Sequence, residues 1–221
     1  MISVVIADDQ DLVREGLRMM LEAEQDISVV GEARSGIEVL TQTREHDPDV
    51  VLMDIRMPQL DGIEATARLV QAGCRARVLI LTTFDLDEYV YRAMKGGASG
   101  FLLKDATRDQ LAAAVRTVSS GDALLAPAIT HRLIEDFCRT PPPDAAIADA
   151  AHRLSTRELD VLRLVAGGLS NAEIADTLFL GEATVKSHMG RILAKLDLRD
   201  RVQVVVFAYE SGIVRPGRSR R

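Results

Sequence analysis

Three carboxylates stand directly after apolar runs: Asp8 and Asp9 after VVIA, and Asp54 after VVLM in the stretch VVLMDIRMPQLDG. A carboxylate beside a core is costly to keep charged, because burial strips away its water. Taken singly, an aspartate after a strand most often forms a turn or caps a helix. If the two runs are neighbouring parallel strands, however, all three acids share one crevice, and such a cluster repels itself unless a cation neutralises it. Hard oxygen donors with room for water suit Mg2+. An Mg2+ beside a nucleophilic carboxylate is an arrangement for taking up a phosphoryl group, because transfer depends on positioning and on neutralising the equatorial oxygens. Two further apolar runs end on matching groups. Thr82 follows VLIL with a hydroxyl, and Lys104 follows GFLL with a compact cation able to reach a phosphoryl oxygen. The chain has 23 arginines and only four lysines, so a lysine at this point is not the cation the sequence uses as filler.

These groups converge only if the runs are strands of one sheet. Over the first 120 residues, short β-rich runs at 3–7, 28–33, 50–53, 78–82 and 100–103 alternate with helix-period segments at 11–22, 36–45, 62–72, 86–95 and 107–119. Five strands alternating with five helices through short loops predict an α/β fold, a doubly wound five-stranded parallel sheet covered on both faces. Ligands of such sheets gather beyond the carboxyl ends of the strands.

The remainder is of another kind. Pro127 can start a helix through about Arg139, after which Thr140-Pro-Pro-Pro-Asp144 and an Ala-rich stretch read as a linker. From Leu154 the pattern is wholly helical, with elements expected over 156–166, 171–178, 182–196 and 200–211. Ser155 stands three residues before Glu158 and Ser170 three before Glu173, both capping-box spacings, and Gly167-Gly168 ends the first of these helices. The charge divides along the same line. Residues 1–152 carry 15 basic and 25 acidic side chains and residues 153–221 carry 12 and 8, so the net −6 separates into −10 and +4. A polyanion would go to the second half. Length, a 47% hydrophobic share and a 27% charged share fit two soluble domains. No apolar run approaches bilayer length, and MISVVIADDQ turns acidic at once, so the expectation is a cytoplasmic protein without membrane contact. Cys74 and Cys138 have no ligand neighbours and are expected as reduced, packed thiols.

IADDQ, LMDIRMPQLDG, ILTTFD and GASGFLLKD together resemble the receiver domain of two-component response regulators, over roughly residues 1–120. The resemblance implies a flavodoxin-like sheet with Asp54 as phosphoacceptor. It implies Mg2+ held by Asp9, Asp54 and the backbone carbonyl of Arg56, with Asp8 completing the acidic pocket. Thr82 and Lys104 would contact the phosphoryl group, and Phe101 would be the aromatic switch residue that follows Thr82; an ordinary core aromatic is the competing reading. Met57-Pro58 and Gly62 match the loop of that family.

Residues 153–215 resemble the LuxR-type, or NarL-type, helix-turn-helix domain, through LSTRELDVLRLVAGGLSNAEIADTLFLGEATVKSHMGRILAKLDL. The helix over 182–196 would turn Val185, Met189, Ile192, Leu193 and Leu196 inward and present a polar, basic face to the major groove. By the resemblance, Lys186, Ser187 and Gly190 stand at base-reading positions, while Thr184, Arg191 and Lys195 suit phosphates. Gly190 lacks the longer side chain of relatives, and Gly181 replaces the serine often found at the N-cap. The apolar residues Val204, Val205 and Ala208 of the last helix could serve a DNA-bound dimer contact or the domain core.

The implied whole is a receiver over 1–122, a linker with a helix over 123–152, the DNA-binding domain over 153–215 and a basic tail over 216–221. It would be a non-enzymatic transcription regulator phosphorylated by a sensor histidine kinase, dimeric on paired promoter half-sites, with RNA polymerase as a further partner. An aspartate-nucleophile phosphohydrolase is the alternative from another class; Arg56 occupies the position where enzymes of the haloacid dehalogenase type want a second aspartate. A regulator that binds DNA independently of phosphate is the third reading, opposed by the complete set Asp8, Asp9, Asp54, Thr82 and Lys104.

Overall fold

The computed structural model describes residues 1–82, 92–121 and 151–214. The chain splits into two compact units, with residues 1–121 in the first and 151–214 in the second. The helix expected over 86–95 is described only in its last residues, 92–95, which are helical. The linker segment 123–150, Cys138 and the basic tail lie outside the described residues.

The first unit contains strands β1 (Ile2–Ala7), β2 (Ile27–Ala33), β3 (Val50–Asp54), β4 (Arg77–Thr82) and β5 (Gly100–Leu103). Helices α1 (Asp11–Glu22), α2 (Gly36–His46), α3 (Gly62–Gln71) and α4 (Arg108–Ser119) complete its described elements. The sheet is wholly parallel, in the order β2-β1-β3-β4-β5. Its winding reverses between β1 and β3, which opens a crevice beyond the carboxyl ends of these two strands. Strands β1, β3 and β4 carry continuous aliphatic runs because helices bury both faces; every residue of β3 is buried, whereas the edge strand β2 is mostly half-buried. Val4, Ile6, Val50, Leu52, Leu79 and Leu81 form one face, packed with Leu17 and Leu21 of α1 and with Leu111, Val115 and Val118 of α4.

Register then places the chemistry. Ala7 pairs with Met53, Asp54 with Leu81, and Thr82 with Leu103. Side chains alternate between faces along a strand. Asp54 therefore continues the row of Val50 and Leu52, while Thr82 shares the opposite face with Ile80 and with Phe101, the lateral partner of Ile80. Asp54 is the last residue of β3 and not the first beyond it, which leaves it 7% exposed.

The loop from β3 to α3 is built around a close approach. The amide of Gly62 donates to the Ile55 carbonyl at 2.9 Å. A Cβ on Gly62 would lie 2.0 Å from the Asp54 carbonyl oxygen, so no other residue fits here unless the strand end moves. Asp61 caps α3 by accepting from the Glu64 amide at 2.8 Å.

The second unit comprises a 3-10 turn at Ala151–Arg153 and helices α5 (Thr156–Ala166), α6 (Asn171–Leu178), α7 (Glu182–Leu196) and α8 (Arg201–Glu210). Both expected capping boxes are formed, at Ser155/Glu158 and Ser170/Glu173, and Thr107/Gln110 forms a third at the start of α4. Gly168 takes the left-handed conformation after α5, at φ +84°. Val204, Val205 and Ala208 are all buried, as core residues would be. Tyr209 donates from its buried hydroxyl to the Ala166 carbonyl at 3.1 Å, tying α8 to the end of α5. Among the described residues, no helix is long and apolar enough to cross a membrane.

Gly62→Ala is expected to destabilise the first unit by about 2 kcal/mol, because the added methyl displaces the backbone at Asp54. The midpoint of denaturant unfolding measures this.

Candidate functional site

Asp8, Asp9 and Asp54 meet at the crevice between β1 and β3. One oxygen from each carboxylate lies within 4.8 Å of the others. Asp8 is fully buried and Asp9 is exposed, so the cluster opens to solvent on one side. Lys104 bridges it: its Nζ lies 2.6 Å from Oδ2 of Asp8 and 3.0 Å from Oδ1 of Asp54. The Lys104 amide donates to the Thr82 carbonyl at 2.8 Å, which couples the ends of β4 and β5 beside the pocket. Thr82 is 5% exposed, and Phe101, at 2%, lies in the core.

The electrostatics follow from burial and pairing. Burial pushes the Asp54 carboxyl above its ordinary range; Lys104 pulls it back only in part, and the Asp8 charge adds to the rise. Burial alone would lower the Lys104 ammonium, but its bonds to Asp8 and Asp54 outweigh that and raise it. Among the described residues Lys104 is the cation paired within this group of three carboxylates, so the pocket keeps a negative excess. Hard, closely spaced oxygens with a solvent-facing side fit Mg2+ better than a soft metal. Around the pocket the backbone is tied down. The Gln10 amide donates to Asp8 Oδ1 at 2.9 Å, and the Gly36 amide donates to the Leu60 carbonyl at 3.1 Å. Arg56, whose carbonyl the resemblance makes a metal ligand, lies exposed in the loop past β3.

The second unit supplies a different surface. Val185, Met189 and Ile192 of α7 are buried, with Leu193 and Leu196 half-buried. Thr184, Lys186, Ser187, Gly190 and Arg191 are exposed, and Gly190 opens onto empty space. The N-terminus of α7 has no side-chain cap at Gly181. Lys195 is exposed as well, and it also has an ion-pair partner inside the domain. Its Nζ lies 2.6 Å from Oε2 of Glu158, a carboxylate buried in the domain. Helical period had set Lys195 on the outward side, but a long flexible stem lets the ammonium fold back to the buried acid. His188 of α7 is half-buried, and its Nδ1 has no partner among the described residues.

Comparison with known proteins agrees with both halves. Residues 4–116 match the response regulator receiver domain, and residues 152–208 match the bacterial regulatory proteins of the luxR family. The chain belongs to the response regulators with a LuxR-type DNA-binding domain. It is 42% identical to the uncharacterized transcriptional regulatory protein YxjL of Bacillus subtilis, over 96% of this chain and 97% of that one. It is 38% identical to the oxygen regulatory protein NreC of Staphylococcus carnosus, over 96% and 98%. Among solved structures it is similar to the response regulator ChrA of a heme-sensing two-component system, at 38% identity, TM-score 0.53 and coverage of 96% and 98%. Of these relatives, YxjL is named as a transcriptional regulatory protein and NreC as an oxygen regulatory protein.

Sequence reasoning on this response regulator missed its long-range ion networks, two of which bear on the sites. One joins α1 to β2 behind the acidic pocket. The other is the Glu158–Lys195 pair, since nothing in the spacing of two residues 37 apart announces a contact. Burial alone would raise the Glu158 carboxyl. Hydrogen bonds from Lys195 and Ser155 outweigh it and hold the carboxyl down at about 2. The folded domain therefore binds fewer protons than the unfolded chain between these limits. Stability supplied by the pair is complete above the ordinary 4.5 and is lost as pH falls toward about 2. Glu158→Gln is expected to lower the stability of the helical domain at neutral pH by about 1 to 2 kcal/mol, with solvent screening of the Lys195 end already discounted. It should also flatten the acid limb of a pH series of thermal melts.

Proposed function

We propose that this response regulator takes a phosphoryl group from a histidine kinase onto Asp54, and that the modified receiver controls dimerisation and sequence-specific DNA binding by the helical domain. Residues 1–122 are read as the phosphoacceptor domain, 123–152 as linker, 153–215 as the DNA-binding domain and 216–221 as a basic tail. The observation that carries the first half is the Lys104 ammonium bridging Asp8 and Asp54, with Asp9 alongside, at the reversal point of the sheet.

Asp9, Asp54 and the Arg56 carbonyl, with Asp8 behind them, are the residues that would hold Mg2+, which when bound neutralises phosphoryl oxygens. An Asp54 oxygen attacks the phosphorus of the kinase phosphohistidine in line with the leaving nitrogen. A P–O bond forms, the P–N bond breaks, and the electron pair stays on the imidazole. Lys104 turns from the Asp54 carboxylate to a phosphoryl oxygen, and the Thr82 hydroxyl donates to another. Phe101 lies on the face of Thr82, so a shift of the hydroxyl toward Asp54 opens space for the ring. Binding to the new dianion then shifts a pre-existing equilibrium of the receiver surface.

On the helical domain, Lys186, Ser187 and Gly190 are read as facing bases, with Thr184, Arg191 and Lys195 on phosphates. Lys195 must leave Glu158 to do so, which ranks it below the other two. A dimer would read half-sites about 10–10.5 bp apart, or multiples of that. The setting is cytoplasmic, with RNA polymerase as a further partner.

Incubation with Mg2+ and acetyl phosphate should add one base-labile phosphoryl group per chain, and none to Asp54→Asn; an undiminished yield in that variant would falsify the assignment. Lys186→Ala is expected to weaken binding to a cognate promoter by about 1 to 3 kcal/mol, and binding should fall steeply with salt. Electrophoretic mobility shift across a salt series measures both.

A further inference from the structure

Behind the acidic pocket, Arg14 of α1 is 4% exposed at its side chain. Arginine is rarely buried unless its donors are used. Here they are used in three directions. Nη1 donates to the backbone carbonyl of Asp8 at 2.7 Å, Nε donates to Glu32 of β2 at 3.3 Å, and Nη2 donates to Asp11. A tie between α1 and β2 does not by itself require this residue. Arg18, one turn on, reaches the same Glu32 at 2.6 Å from a half-exposed position. What Arg14 alone does among these is grip the carbonyl of the pocket.

That carbonyl belongs to the peptide joining Asp8 to Asp9. The peptide is planar, so fixing its oxygen fixes the directions in which both residues leave the backbone. The Asp8 carboxylate is also held by the Gln10 amide and Lys104. Asp9 is exposed, and its aim depends on the backbone that carries it. The guanidinium charge is shared with Asp11 and Glu32, and Asp11 is paired a second time by Arg34 at 3.5 Å. Little of the Arg14 charge is left to act on the pocket, so its effect there is geometric.

We propose that Arg14 is a positioning residue for the divalent-cation site: its bond to the Asp8 carbonyl holds the Asp8–Asp9 peptide in the orientation that binds Mg2+. The inference rests on the reading of that pocket as a metal and phosphoryl site. Outer groups that orient metal ligands typically change affinity by about 10- to 100-fold when removed.

Calorimetric titration of the full chain with Mg2+ tests this, with a thermal melt of each variant and the Mg2+ concentration giving half-maximal phosphorylation by acetyl phosphate. Arg14→Ala is expected to bind Mg2+ about tenfold more weakly, while its phosphorylation at saturating Mg2+ approaches the wild-type yield. Arg14→Lys keeps the charge but not the planar fork, and should fall between the two. Arg18→Ala breaks the neighbouring tie without touching the Asp8 carbonyl, and should keep its Mg2+ affinity within twofold. A folded Arg14→Ala or Arg14→Lys protein with wild-type affinity would overturn the proposal. So would an Arg18→Ala protein that loses as much affinity as Arg14→Ala, because that result assigns the effect to the helix–strand tie. Absence of Mg2+ binding by the wild-type chain is a different result, and would overturn the reading of the pocket itself.

Discussion

Mutual repulsion among Asp8, Asp9 and Asp54 is the constraint around which the first unit is arranged. A parallel sheet gathers its strand ends on one edge, and here β1 and β3 end on carboxylates at the point where the winding reverses. Such a cluster persists in a folded protein only if cations and amides compensate it. Among the described residues Lys104 is the cation in direct contact, and it comes from the end of β5, two strands from β3. The compensation is incomplete, and the remaining negative charge supports the reading of the pocket as a divalent-ion site.

Nearby features follow from holding those three groups still. Gly62 admits no Cβ because the Asp54 carbonyl passes so close. Gly36 and Leu60 join the start of α2 to the loop after β3, so the loop that carries Arg56 and Pro58 is anchored at both sides. Arg14 does the corresponding work behind Asp8. Precision of this kind is cheaper on strand ends and helix starts than on free loops, and it leaves the exposed Asp9 side as the way in. The helical unit uses a different economy. A buried acid, Glu158, caps its own helix and draws in Lys195, while the outward residues of α7 are small or charged.

Much of this was legible in the sequence because alternation and helical period are local signals. The five strands and the described helices lie within a residue or two of where the patterns put them, apart from the 86–95 segment, of which only 92–95 is described. The convergence of Asp8, Asp9, Asp54 and Lys104 followed from placing each at a strand's carboxyl end, and parallel order does the rest. Long-range pairings were not legible. Arg14 looks like one more surface cation on an amphipathic helix until β2 is known to run alongside it. Lys195 looks outward by period until Glu158, from another helix, is in place. The burial of Phe101 was readable as a tendency of aromatic residues, but its face was not, because that depends on the register of β5 against β4.

The proposed role of Asp54 is to receive a phosphoryl group in a Mg2+-dependent pocket. Borohydride reduction of the chain after exposure to acetyl phosphate, followed by peptide mass mapping, tests it most directly, because reduction converts an acyl phosphate on aspartate to homoserine. Homoserine is expected at position 54 only, and only when Mg2+ is present. Conversion at another aspartate, or equal conversion at position 54 in the presence of a chelator, would contradict it.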